Sequence, residues 1–159
     1  MKRTAKPARK TTMKPAKGKT WTEKVNDPTK EYIVKKLDKA FADMPAGSKM
    51  LIATPRIIDA YVRHIRKGKS GTLAKMRKDL ALEYGADYTC PVTSGIFLRI
   101  VSEAAHEQIE KGISLTKVTP FWRVVDENSP LNKKLSFGSE FVARLRKKEG
   151  LTEDQKPKR

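Results

Sequence analysis

Three helix-period segments beyond residue 55, a turn-rich stretch beyond residue 120 and a cationic start predict a mainly α chain with a small β wing. That order is a winged helix-turn-helix, preceded by a short helical or extended segment and a disordered basic tail. At 159 residues the chain holds one modest core plus tails and is too short for two ordinary domains. The expected division is a tail at 1–20, an N-terminal segment at 21–54, the winged helix at 55–150 and a basic C-terminal tail at 151–159.

Apolar spacing justifies each element. Residues 31–44 place Ile33, Val34, Leu37, Phe41 and Met44 at helical intervals, and 46–48 break the pattern. The run 50–53 is too brief to separate a strand from an extended lead-in. Pro55 suits a first helical turn, Ile57, Ile58, Tyr61, Val62 and Ile65 form the buried face, and Gly68 closes it. Thr72 caps a second helix that buries Leu73, Met76 and Leu80 and ends at Gly85. Thr93 or Ser94 caps a long third helix, with Ile96, Phe97, Ile100, Val101 and Ala104 inward and Gly112 at its end. A strand at 122–125, a turn at 126–130 and a return strand at 135–137 make the wing. A last helix spans about 138–149.

The charge points to a polyanion. Lys+Arg 35 against Asp+Glu 18 gives a net charge of +17 and a pI near 10.1. Residues 1–20 carry eight basic groups and no acid, and cannot bury enough apolar surface to offset their ordering entropy. Residues 144–159 add a net +4, and residues 56–78 a net +7 with Asp59 as their only acid, so the remainder sums to −2. A lipid surface is disfavoured because no amphipathic Trp/Phe/Leu face accompanies the tail, so no membrane partner is expected. The single cysteine, Cys90, permits no internal disulfide and implies a reducing compartment, hence a cytoplasmic, nucleoid-associated protein. No apolar run of signal-peptide or membrane-spanning type occurs.

The run 119–125, TPFWRVV, resembles the active-site segment of the alkylguanine DNA alkyltransferases (methylated-DNA–protein-cysteine methyltransferases), which reads P-C-H-R-V followed by Ile or Val. Segments 57–69, 72–82 and 93–105 resemble that family's first DNA-binding helix with its basic-Gly-Lys turn, its next short helix and its recognition helix. Glu149-Gly150 resembles its terminal E-G. The resemblance covers roughly 55–150 and implies a winged helix that binds DNA. It also implies that the chemistry has gone. Phe121 stands where the family has its acceptor cysteine and Trp122 where it has the histidine that helps form the thiolate, and neither ring supplies a nucleophile. Glu149 matches the glutamate that supports that histidine. Leu73 stands where the family has a base-turning tyrosine, and Ser94 or Gly95 where it has an intercalating arginine; Arg99 lies one turn further on. The resemblance thus implies a protein of the alkyltransferase-like type, without the acceptor.

The expected function is non-catalytic duplex-DNA binding by a monomer. Phosphate contacts come from Arg56, Arg63, Arg66, Lys67, Lys69, Lys75 and Lys78, joined by Thr72, Thr93, Ser94, Arg99 and Arg123. Thr93, Ser94 and Gly95 make a small, polar first turn that admits a DNA backbone, beside their ordinary capping role. Charge alone does not separate RNA from DNA. Cys90 is the rival nucleophile, but His64 and His106 are distant in sequence, and a small buried apolar role suits it better. Phe121 and Trp122 either stack a base or fill the core. No metal cluster, Gly-rich phosphate loop or Ser/His/Asp set is visible, so neither metal nor cofactor is expected. The rival readings are an alkylguanine damage sensor or true methyltransferase, linked to DNA repair, and an architectural nucleoid protein.

Overall fold

The computed structural model describes residues 19–151. The two basic tails lie outside the described residues, apart from Lys19, Thr20 and Leu151. What is described is a mixed α/β chain of five α-helices and one three-stranded sheet.

The long helix α4 (Pro91–Glu110) is the axis of the fold. At 20 residues it runs about 30 Å, and Leu98 to Ala105 are buried without interruption. A helix buried on all sides needs neighbours on all sides. It has them in α1 (Trp21–Val25), α2 (Pro55–Arg63), α3 (Leu73–Glu83) and two 3₁₀ turns, Phe121–Arg123 and Pro130–Lys134. The last helix, α5 (Ser139–Lys148), packs on those turns.

The capping signals act where expected for α3. The Thr72 side chain accepts from Lys75 N at 3.0 Å, and Met76 and Leu80 are buried. The third long helix starts earlier than its polar triplet implies. Pro91 takes the first position, Cys90 is the N-cap, and Ser94 turns its hydroxyl back onto the Cys90 carbonyl at 2.7 Å. Ile100, Val101 and Ala104 are buried as predicted, but Ile96 is 37% exposed, and Arg99 is buried because the middle of α4 is enclosed on every side. Likewise α2 ends at Arg63, and a separate turn carries the chain to Gly68, whose φ of +81° favours glycine.

Two predicted elements are corrected. Residues 31–44 are not helical. They form β1 (Ile33–Lys36) and a turn, and β1 pairs antiparallel with β2 (Lys49–Ile52), Ile33 opposite Ile52 and Lys36 opposite Lys49. Of the five apolar residues that set the helical spacing, only Leu37 and Met44 are buried. The β-branched pair Ile33-Val34 prefers the strand. β2 also pairs in parallel with β3 (Tyr88–Thr89).

The wing strands at 122–125 and 135–137 are absent as well. Phe121, Trp122, Val124 and Val125 are all buried, a pattern that a half-exposed two-stranded wing with period two cannot satisfy. The backbone curls instead, with Val124 N and Val125 N both donating to Phe121 O, at 3.0 and 2.9 Å. The sheet that exists lies before α4 in the chain.

The short helix α1 went unpredicted, although Trp21 marks where the tail stops. A capping box of Thr20 and Glu23 starts it, and Glu107 of α4 receives Trp21 N, Thr22 N and Thr22 Oγ1 at 3.2, 2.9 and 2.7 Å. Burial alone would push the Glu107 carboxyl up, but these donors outweigh it and hold the pKa below its usual value. Val25 and Leu51 share the main core with α2, α4 and α5, so residues 21–54 are built into the same body as 55–150.

A second carboxylate does similar work inside. Glu103, 2% exposed, accepts Ser136 N at 2.8 Å and Ser136 Oγ at 2.6 Å and lies 4.0 Å from Arg99 Nε. Removing one partner of a buried charge pair typically costs about 3–5 kcal/mol. Glu103→Ala should therefore lower the unfolding free energy by about 3 kcal/mol in denaturant titration, and a loss under about 1 kcal/mol would mean that Glu103 does not fix the 135–137 loop.

Candidate nucleic-acid interface

The turn Phe121–Arg123 and Glu149 at the end of α5 form one tightly bonded centre. Glu149 accepts Trp122 Nε1 at 3.0 Å, Arg123 Nε at 2.9 Å, Arg123 Nη2 at 2.8 Å and, more weakly, Gly68 N at 3.4 Å. Arg123 Nη1 reaches the Ile65 carbonyl at 2.6 Å, and its own carbonyl accepts Gly71 N at 2.7 Å. Arg146, buried in α5, donates to Trp122 O at 2.6 Å and pairs with Glu127 at 3.2 Å. Burial works to raise the Glu149 pKa, but the Arg123 and Trp122 bonds prevail and lower it.

Both aromatic residues of this turn fill the core. Phe121 is 0% exposed and Trp122 2%. Phe121 packs against Trp122, Phe137 and Phe141 with centroids 5.3, 5.6 and 6.4 Å apart, and His106 stacks on Phe137 at 4.2 Å. Neither ring presents a face for a base. The family resemblance implied a histidine supported by Glu149. Here the indole N–H makes that same bond, but it donates only and accepts no proton. Cys90 is buried in a different cluster, with Leu37, Met44 and Met50.

The predicted DNA contacts divide by position. Arg56, Arg63, Arg66, Lys67, Lys69, Lys75 and Lys78 are exposed along α2, the 64–71 turn and α3, as is Thr72 at the start of α3. Arg56 donates to Asn26 O at 2.9 Å, Arg63 bridges Asp59 at 3.0 Å, and Lys75 bridges Asp79 at 3.1 Å. Exposed pairs of this kind are weak and give way to phosphate. Thr93 is half-buried. Ser94, Arg99 and Arg123 do not stand as surface contacts. Ser94 is 0% exposed and Arg99 6%, and Arg123 is spent on Glu149 with its side chain 13% exposed.

Sequence reasoning missed Lys133 and Lys134, both exposed on the second 3₁₀ turn. Their signal was hidden because the chain outside the three basic segments sums to a small negative charge. Lys134 lines a cavity of about 500 Å3 with Leu73, Val92, Ile96, Arg99 and Val125, between the start of α3, the first turns of α4 and the 124–134 loop. A mostly apolar concavity of that size, with two cationic side chains in its wall, has room for a small planar ring.

Because the Glu149 pKa is depressed in the folded state, its contribution is fully present above the ordinary carboxylate value of about 4.3 and is lost as the pH falls through the folded value. Denaturation at several pH values should show stability decreasing below about pH 4, with a shallower acid limb and lower neutral stability in Glu149→Gln. An unchanged acid limb in that variant would remove Glu149 as the titrating node. Compared with protein-family models, curated proteins and solved structures, the chain matches none of them.

Proposed function

We propose that this protein is a non-enzymatic binder of duplex DNA that docks through the cationic surface of α2, the 64–71 turn and α3. One observation carries the reading. Residues 56–78 hold eight basic groups against one acid, and seven of the eight are exposed on a folded, continuous stretch of chain. Phosphate neutralisation by such a stretch supplies affinity without sequence preference. The order α2, α3, α4 supports a helix-turn-helix, with Val92 and Ile96 exposed at the start of α4. The eight basic residues of 1–20 add to the attraction, and nucleoid association follows from the same charge. The replacement of the acceptor pair by Phe121 and Trp122, both in the core, supports a binding role in place of alkyl transfer.

A second reading, recognition of alkylated guanine in DNA repair, is favoured by the 500 Å3 cavity beside Leu73 and Ile96. Competition between plain duplex and alkylguanine duplex separates the two, since only the second reading expects a preference.

Three outcomes are expected. If about five phosphates are neutralised, log K against log salt falls with a slope near −4 to −5, and a slope shallower than about −1 would assign the charge to another purpose. In the same assay, Lys69→Glu with Lys75→Glu should weaken binding more than removal of residues 1–10, which hold five basic groups. Folded side chains of the described surface keep register with phosphates. Loss of binding only in the truncation would favour the architectural reading. Incubated with an alkylguanine oligonucleotide, the protein should keep its mass, and an alkyl adduct on Cys90 or elsewhere would overturn the non-enzymatic assignment.

A further inference from the structure

The sheet ends in an open edge. All four residues of β1 are exposed, and Tyr32, Ile33 and Val34 are 48%, 55% and 37% accessible. The hydrogen-bond phase of the strand follows from both sides of β2. Leu37 N donates to Ser48 O at 2.8 Å, so the odd-numbered residues of β1 face β2. Independently, the carbonyls of Lys49 and Leu51 accept Asp87 N and Cys90 N, each at 2.8 Å, on the β3 side. That leaves Met50 and Ile52 to bond Lys35 and Ile33, their register partners. The backbone groups of Tyr32, Val34 and Lys36 therefore point away from the sheet, and no bond from another described segment reaches them. An edge strand with free backbone groups and apolar side chains on both faces is a template for strand addition.

We propose that β1 pairs antiparallel with β1 of a second copy of this chain, about a twofold axis at Ile33, fusing two three-stranded sheets into one. The charge pattern selects both partner and register. A twofold contact sets each residue against its mirror in the strand. Centred on Tyr32 the pairing sets Glu31 against Ile33, and centred on Val34 it sets Lys35 against Ile33. Centred on Lys35 it sets lysine against lysine. Centred on Ile33, it places Glu31 opposite Lys35 twice, with Ile33 meeting Ile33 between them and Tyr32 over Val34 on the other face. Lys30 and Lys36 meet only at the outer ends. In this register the outward groups of Tyr32 and Val34 bond one another, and the acid-base pairs fall at the closer, non-hydrogen-bonded positions. The proposal is independent of DNA binding. If both hold, the dimer carries two basic surfaces.

Sedimentation of the full chain over a range of concentrations at 0.15 M salt tests it. The wild type should associate reversibly to twice its 18.0 kDa mass. Glu31→Lys and Lys35→Glu should each weaken association about tenfold, and the two together should restore it. Val34→Pro removes an outward donor and no bond to β2, so it should weaken association while thermal unfolding stays cooperative. A wild type that remains monomeric at millimolar protein overturns the proposal, as does a dimer indifferent to all of these changes. Val34 amide protection that is already present in the monomer would give the edge to the chain's own termini and overturn it equally.

Discussion

The carboxylate of Glu149 is the node on which the rest of the basic surface depends. It sits at the end of α5, yet its bonds go to the adjacent Trp122 and Arg123 and to Gly68, two stretches brought to it only by folding. Arg123 extends the same connection, since it holds Ile65 with its guanidinium and Gly71 with its carbonyl. The two ends of the 65–71 turn are therefore fastened to one arginine, and that turn presents Arg66, Lys67 and Lys69. A cationic loop without such anchors would have to be ordered on binding, at about 1–2 kcal/mol per residue fixed. Here the folded core supplies the order. A largely buried ion pair is often neutral in net stability, and the value of this one lies in the geometry that it imposes.

The same centre shows what Phe121 and Trp122 do in this fold. In the pattern that the sequence resembles, the positions of Phe121 and Trp122 serve a nucleophile and its base. In this chain they serve packing. Burying a phenyl ring of this kind stabilises by roughly 1.5–3 kcal/mol, and Phe121 has Trp122, Phe137 and Phe141 around it. The indole N–H satisfies Glu149, so the carboxylate is not left unpaired in the absence of an imidazole. Both residues are therefore coherent with a stable core, and neither side chain offers a nucleophile or a base.

How far the sequence could be read depended on whether a signal was local. Thr72, Gly85 and Gly112 mark boundaries because capping and left-handed turns depend on one or two residues, and those boundaries hold to within a residue or two. The segment 31–44 misled because Ile33, Val34, Leu37, Phe41 and Met44 fit helical spacing, whereas their fate was set by pairing with Lys49–Ile52 further along the chain. β3 is two residues long and pairs in parallel, which no local pattern announces. The run 121–125 looked like a strand because it is apolar, but burial on every side is what a curled turn inside a core provides. At the candidate interface the exposed cations of α2 and α3 were legible from charge density. The burial of Ser94 and Arg99 was not, because it depends on the neighbours that enclose α4 on every side.

Net charge understates what the surface offers an anion. The acids that the fold uses internally are those nearest the core: Asp59 receives Thr119, Glu103 receives Ser136, Glu107 receives α1, and Glu149 receives Arg123 and Trp122. Their charges count in the total, yet hydrogen bonds and burial commit them to inward partners. The exposed lysines and arginines of 56–78 are opposed at close range mainly by Asp59 and Asp79, each already engaged with Thr119 or Tyr61. With a screening length of about 8 Å at physiological salt, a polyanion responds to the nearest charges more than to the sum. Committing these four acids inward leaves the stretch from α2 to α3 more cationic to an approaching phosphate than the total of +17 spread over the chain would be.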